Sequence, residues 1–173
     1  MANNDRSEGQ NGGMPPTGPE GASRRVSGVD LDARRELRSE TRRNQTYKAF
    51  LNNLMVLGSM NEEEAEKAAV SVLCVLEQRL FGEEAAHLEA QLPGKLRDLL
   101  IRCERHIGKP VPKFGRYDFI RMVSEELETD LFRAERHIRA VFAALRDQVS
   151  EGEIEDVIGQ LPADLRELWR RPV

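Results

Sequence analysis

Aromatic residues are scarce in this chain: six Phe, two Tyr and one Trp make up 5% of its 173 residues. Charged residues reach 32%. That balance fits a helical protein with an aliphatic core better than an all-β one. Cysteine is nearly absent. Cys74 and Cys103 are the only two, both inside apolar helical patterns, so each reads as a small buried hydrophobe in a reducing compartment and not as half of a disulfide. Long apolar runs are missing as well. The first twenty residues contain none, so no signal peptide is expected, and the longest run, from Ala68 to Leu76, is interrupted by Ser71 and too short to span a bilayer. These absences lead to the expectation of a soluble, cytoplasmic protein with no membrane attachment.

Catalytic signatures are also lacking. There is no G-x-S-x-G, no P-loop and no G-x-G-x-x-G. The run Glu62-Glu63-Glu64 falls in the first turn of a helix, where acids complement the macrodipole. Three histidines are present, His87, His106 and His137, and no two stand at i,i+4. Cys103 and His106 could share a helix face, but two ligands do not make a zinc site. His106 reads as a residue near a helix C-terminus, and His137 as a satisfied, half-buried side chain. The expectation is therefore of a non-enzyme, with no catalytic residues, no cofactor and no metal.

Charge is uneven along the chain. Residues 44–173 hold 18 Lys+Arg against 23 Asp+Glu, a net of −5, whereas residues 24–43 hold 7 Arg against 4 acids, a net of +3. An acidic body suits a polyanion poorly, so nucleic acid is not the expected partner, and any such contact would fall to the basic stretch.

What the chain does contain is a repeat. Gln91-Leu92-Pro93-Gly94-Lys95-Leu96-Arg97-Asp98-Leu99 returns sixty-nine residues later as Gln160-Leu161-Pro162-Ala163-Asp164-Leu165-Arg166-Glu167-Leu168. The shared pattern is Q-L-P-x-x-L-R-(D/E)-L. The same offset extends backwards without a gap, setting Phe50 on Phe119, Val72 on Val141, Leu76 on Leu145 and Glu84 on Glu153. Self-similarity at a fixed period is the mark of one supersecondary unit used twice.

Read in order, residues 1–29 hold little that can be buried and form a disordered tail. Within it Arg24-Arg25-Val26-Ser27 matches a basophilic kinase pattern, a short match that arises by chance. Residues 30–45 form a marginal helical arm anchored only by Leu31 and Leu37. Repeat 1 occupies residues 46–107. Its opening helix carries Tyr47, Phe50, Leu51 and Leu54 on one face and closes at Gly58. Asn61 and Glu64 make a capping box for a helix striped with Ala65, Ala68, Val72, Leu73, Leu76 and Leu80, which ends at Gly82. A short helix with Ala85, Leu88 and Leu92 leads to Pro93, which takes the first position of a fourth helix lined by Leu96, Leu99, Leu100 and Cys103. Gln91 is placed to bond the free amides of that helix start.

Residues 108–115 are a Pro/Gly linker that no helix crosses. Repeat 2 fills residues 116–173 with the same order of elements. Tyr117, Ile120 and Val123 open it, Asp130 caps the long helix of Ala134, Ile138, Val141, Phe142 and Leu145, and Ser150 with Glu153 makes a second capping box. Ile154, Val157, Ile158 and Leu161 follow, and Leu165, Leu168 and Trp169 finish the chain. The expected fold is all-α: two tandem, pseudo-equivalent four-helix repeats packed as one helical domain behind a disordered N-terminal arm. Each unit is marginal alone, so the two should pack together and bury a shared face.

The Q-L-P-x-x-L-R signature, with a capped amphipathic helix before it, resembles an uncharacterised prokaryotic helical family known as domain of unknown function 2267. The resemblance covers roughly residues 45–170. It implies an all-α protein of about this size and brings no catalytic or binding residues with it. The signature residues Gln91, Leu92, Pro93, Leu96, Arg97 and Gln160, Leu161, Pro162, Leu165, Arg166 read as structural. Arg97 and Arg166 could also act as anion clamps, but the flanking leucines already explain the motif as packing. The functional expectation is a non-enzymatic helical interaction or regulatory module with an unidentified protein partner. The alternative is a small-ligand-binding protein using the cleft between the repeats.

Overall fold

The computed structural model describes residues 28–101 and 113–170, and every regular element among them is helical. They are α1 (Gly28–Gly58), α2 (Glu62–Glu77), α3 (Glu84–Gln91), α4 (Gly94–Ile101), α5 (Arg116–Glu126), α6 (Leu131–Gln148), α7 (Glu151–Gln160) and α8 (Ala163–Arg166), the last running into a 3-10 turn at Glu167–Trp169. The tail before residue 28, the kinase-like Arg24–Ser27, Cys103, His106 and the linker's two prolines lie outside the described residues.

Two helices form the centre because one stretch of each is apolar around its whole circumference. In α2 every residue from Ser71 to Leu76 is buried, and α6 buries Ile138 and all of Ala140 to Leu145. A helix apolar on most of its circumference must be surrounded. α6 packs against α1, α2 and α5, and α2 packs against α1, α4 and α5. Phe119, Phe142 and Trp169 run through the second half of this core, with Phe142 and Trp169 stacked at 4.0 Å.

The helix starts follow local chemistry at two places. Asn61 accepts from the Glu64 N–H at 2.9 Å and Glu64 accepts from the Asn61 N–H at 3.0 Å, a complete capping box. Asp130 accepts from the Arg133 N–H at 2.9 Å at the head of α6. The third expected cap does not form. Ser150 makes no side-chain cap, and its N–H goes to Gln91 and not to Glu153.

Other local expectations shift. Pro93 and Pro162 stand one residue ahead of the first helical position, where their carbonyls accept the first helical bonds, from Arg97 and Arg166. α2 ends at Glu77, and Gly82 serves the turn beyond it with φ at +65°, a conformation that disfavours a side chain. Tyr117 is not on the inner face of α5. Phe119 is buried with Ile120 and Val123, and Tyr117 points outward at 66% exposure. Cys74 is buried but disulfide-bonded, which overturns its reading as a reduced thiol.

α1 crosses the expected boundary between arm and repeat without a break. The boundary appears in burial instead: residues 31–46 are exposed, and Tyr47, Phe50, Leu51 and Leu54 are buried. Arg43 ties the junction down. It pairs with Asp98 and reaches the Gly94 carbonyl of α4, lying so close that a Cβ on Gly94 would stand 2.6 Å from its Nε.

Candidate functional site

The chemistry-bearing residues that the fold concentrates lie where α3 meets α7. α3 buries Leu88 and α7 buries Ile154 and Val157, so the polar residues on their flanks are brought together by packing of the apolar ones. Gln91, at the end of α3, does not serve its own half of the chain as expected. Its Oε1 accepts the N–H of Ser150 at 2.8 Å and its Nε2 donates to Glu153 Oε2 at 3.2 Å. Gln160, sixty-nine positions on, does the reverse. Its Oε1 accepts the N–H of Phe81 at 2.7 Å and its Nε2 donates to Glu84 Oε2 at 3.3 Å. Each glutamine of the signature thus closes the chain ahead of the other half's helix and holds a carboxylate there.

The consequence for Glu153 is electrostatic. In a capping box its carboxylate would have bonded the Ser150 N–H, but Gln91 occupies that donor, and Glu153 turns towards Glu84. Its carboxyl is held above the ordinary range, first by burial, then by hydrogen bonding with Glu84 and by the Glu84 charge, while His87 opposes the shift. One ligand atom each from Glu84, His87 and Glu153 lie within 4.8 Å of one another. A metal set was not expected from the sequence. A signal was present, because Glu84 and His87 stand at i,i+3 on a helix and Glu84 falls on Glu153 in the repeat, but only folding shows that the two glutamates meet.

The remaining signature residues divide by burial. Leu92, Leu96, Leu161 and Leu165 are buried, and Pro93 is buried where Pro162 is partly exposed. Arg166 donates from Nε to the Leu161 carbonyl at 2.7 Å and from Nη2 to that of Gly159 at 3.1 Å, closing the C-terminus of α7. Arg97 is half-exposed, and among the described residues nothing accepts from its guanidinium. The acids beside them are in ion pairs, Asp98 with Arg43 and Glu167 with Arg170.

Two further titratable sites are displaced by burial. Glu77 is pushed up to about 8 by burial, then by the charge of Glu89 and a hydrogen bond with it. His137 is half-buried, but its Nδ1 has no hydrogen-bond partner among the described residues, so it is not the satisfied histidine the sequence suggested. Burial lowers its pKa, and the nearby Arg133 and Arg136 add to this against Glu64 and Asp130.

A separate feature lies on the surface. Tyr117, Leu131 and Phe132 are exposed at 66%, 42% and 75%, and with Ile120 they line a groove of about 460 Å³ at the α5–α6 corner. The polar groups on its rim are engaged within the chain: Glu135 accepts from Arg116 at 2.7 Å and Asp164 accepts the Arg116 N–H at 2.8 Å.

The model of a family described as an uncharacterised conserved protein, DUF2267, matches residues 47–168 of the chain. The chain belongs to that family. The match begins at Tyr47, the residue at which α1 becomes buried, and leaves the exposed half of α1 outside. No curated protein matches the chain. Among the described residues no helix is long and apolar enough to cross a membrane.

Proposed function

We propose that this chain is a non-enzymatic interaction module built from two tandem four-helix repeats, and that it holds a protein partner in the α5–α6 groove. The repeat reading draws support from contacts that come in matched pairs. α1 packs on α6 as α5 packs on α2, and α1 packs on α4 as α5 packs on α8. The reciprocal glutamines add to that support.

The observation that carries the interaction reading is the exposure of Tyr117, Leu131 and Phe132 around one groove. Large apolar side chains grouped in this way leave an unfavourable hydrated surface that a partner would cover, and aromatic side chains in a concave patch are the usual energetic centres of interfaces. Because Arg116, Glu135 and Asp164 are already paired within the chain, the groove offers apolar contact more than charge. Its partner is expected to be a protein segment presenting aliphatic or aromatic side chains.

The test is cross-linking capture with the intact chain and with Phe132→Ser and Tyr117→Ser. A partner held by the parent and lost in both variants, with melting temperature unchanged, supports the reading. A partner retained equally by the variants would place the interface elsewhere.

A further inference from the structure

Glu84 and Glu153 approach each other from the two halves of the chain, at the heads of α3 and α7. Each uses Oε2 to accept from a glutamine of the opposite half, at 3.3 Å from Gln160 and 3.2 Å from Gln91. That leaves Oε1 on each. Both Oε1 atoms are buried, and among the described residues neither has a hydrogen-bond donor. A proton shared by the two carboxyls can serve those oxygens, but once both carboxyls are ionised only a cation between them can.

His87 brings the third group. It lies one helical turn beyond Glu84, and its imidazole reaches the same point, with the three ligand atoms within 4.8 Å of one another. A single ion at the usual 2.0–2.6 Å from each ligand can bridge atoms so placed, given small side-chain adjustments. One imidazole with two carboxylates suits a first-row divalent metal better than Mg²⁺ or Ca²⁺, which take oxygen ligands almost throughout. The glutamines then take the part of outer-shell groups, each fixing the orientation of one liganding carboxylate. Glu83, at 4.0 Å from His87 Nε2, and Asp156, which acts on Glu153 through its charge, make the surroundings more negative still. His87 is largely exposed, so water can complete the coordination from that side.

We propose that Glu84, His87 and Glu153 form a binding site for one first-row divalent cation, of the Zn²⁺ type, which bridges the two halves of the chain at the α3–α7 junction. This site is separate from the α5–α6 groove and does not depend on it. The ion would join α3 to α7 as the glutamines do, with its own charge replacing the repulsion between the two acids.

Calorimetric titration of ZnCl₂ into the intact, chelator-treated chain tests this. The expected result is one equivalent bound, with Glu84→Gln, Glu153→Gln and His87→Ala each weakening the affinity at least tenfold and His137→Ala leaving it unchanged. Zn²⁺ should also raise the melting temperature of the parent chain and not that of Glu153→Gln, because only the folded parent assembles the three ligands. The glutamine variants remove like charge and so should stay folded. Binding of equal strength in Glu84→Gln and Glu153→Gln would overturn the proposal, since the ion would then sit elsewhere. Absence of one-to-one binding in the parent would also overturn it, and would leave the junction as two carboxyls sharing a proton.

Discussion

Gln91 accepts the backbone N–H of Ser150 at 2.8 Å, although fifty-nine positions separate the two residues and they serve different halves of the chain. A helix start closed by a side chain from elsewhere couples the two halves more strongly than an ordinary cap would. Local caps survive when the halves separate, but this bond cannot. Gln160 and the Phe81 N–H, at 2.7 Å, repeat the arrangement in the opposite sense.

Gln91→Ala and Gln160→Ala should therefore each destabilise the fold by about 1–2 kcal/mol, the range for leaving a backbone amide without its partner, at the α7 N-cap in one case and in the turn before α3 in the other. Because both glutamines also hold carboxylates at one junction, the double variant should depart from the sum of the two. Urea unfolding of the three variants measures this, and strict additivity would show the two bonds to be independent.

Glu77 predicts a pH dependence. Burial and the neighbouring Glu89 raise its folded pKa to about 8, far above an ordinary carboxyl, so the folded chain holds it protonated at neutral pH. The stability this contributes is complete below the unfolded pKa and is lost as pH rises through about 8. The loss should be on the order of a few kcal/mol. Glu77→Gln should flatten the stability profile between pH 5 and about 9, a range set by that pKa, and should be the more stable chain at its alkaline end. Denaturant midpoints that stay parallel for parent and variant across that range would contradict it.

Leu76 and Leu145 occupy matching places in α2 and α6, and both are fully buried. Replacing either by Ala should cost about 2–5 kcal/mol. Similar losses at the two positions, read from urea melts, would support the proposed duplication.

The exposed half of α1 should be helical yet weakly protected. Residues 31–42 are exposed, and Leu31 and Leu37 remain 48% and 69% exposed, so this segment has little apolar burial to hold it. Hydrogen exchange should be fast through Arg42 and slow from Tyr47 to Leu54. Truncation just before Arg43 should leave the melting temperature unchanged, because Arg43 supplies the contact to α4. Protection in residues 31–42 equal to that of Leu54 would mean that the segment packs against something.

What could be read in the sequence was what neighbouring residues decide among themselves. The stripe from Ala65 to Leu76, the Asn61–Glu64 box and the Asp130 cap all rest on contacts within one or two helical turns, and all formed. The buried leucines of both Q-L-P segments were legible for the same reason, since period and spacing already give a helix its inner face. Residues with two plausible uses were settled only by tertiary packing. Glu153 had the spacing to cap α7, yet Gln91 took that donor from across the junction and left Glu153 facing Glu84. Tyr117 had helical spacing for the core, but Phe119 filled the space. The charges at Glu77 and His137 shifted because neighbours from other elements buried them. A polar side chain makes whichever bond the assembled fold brings within about 3 Å, and that distance is not written in local sequence.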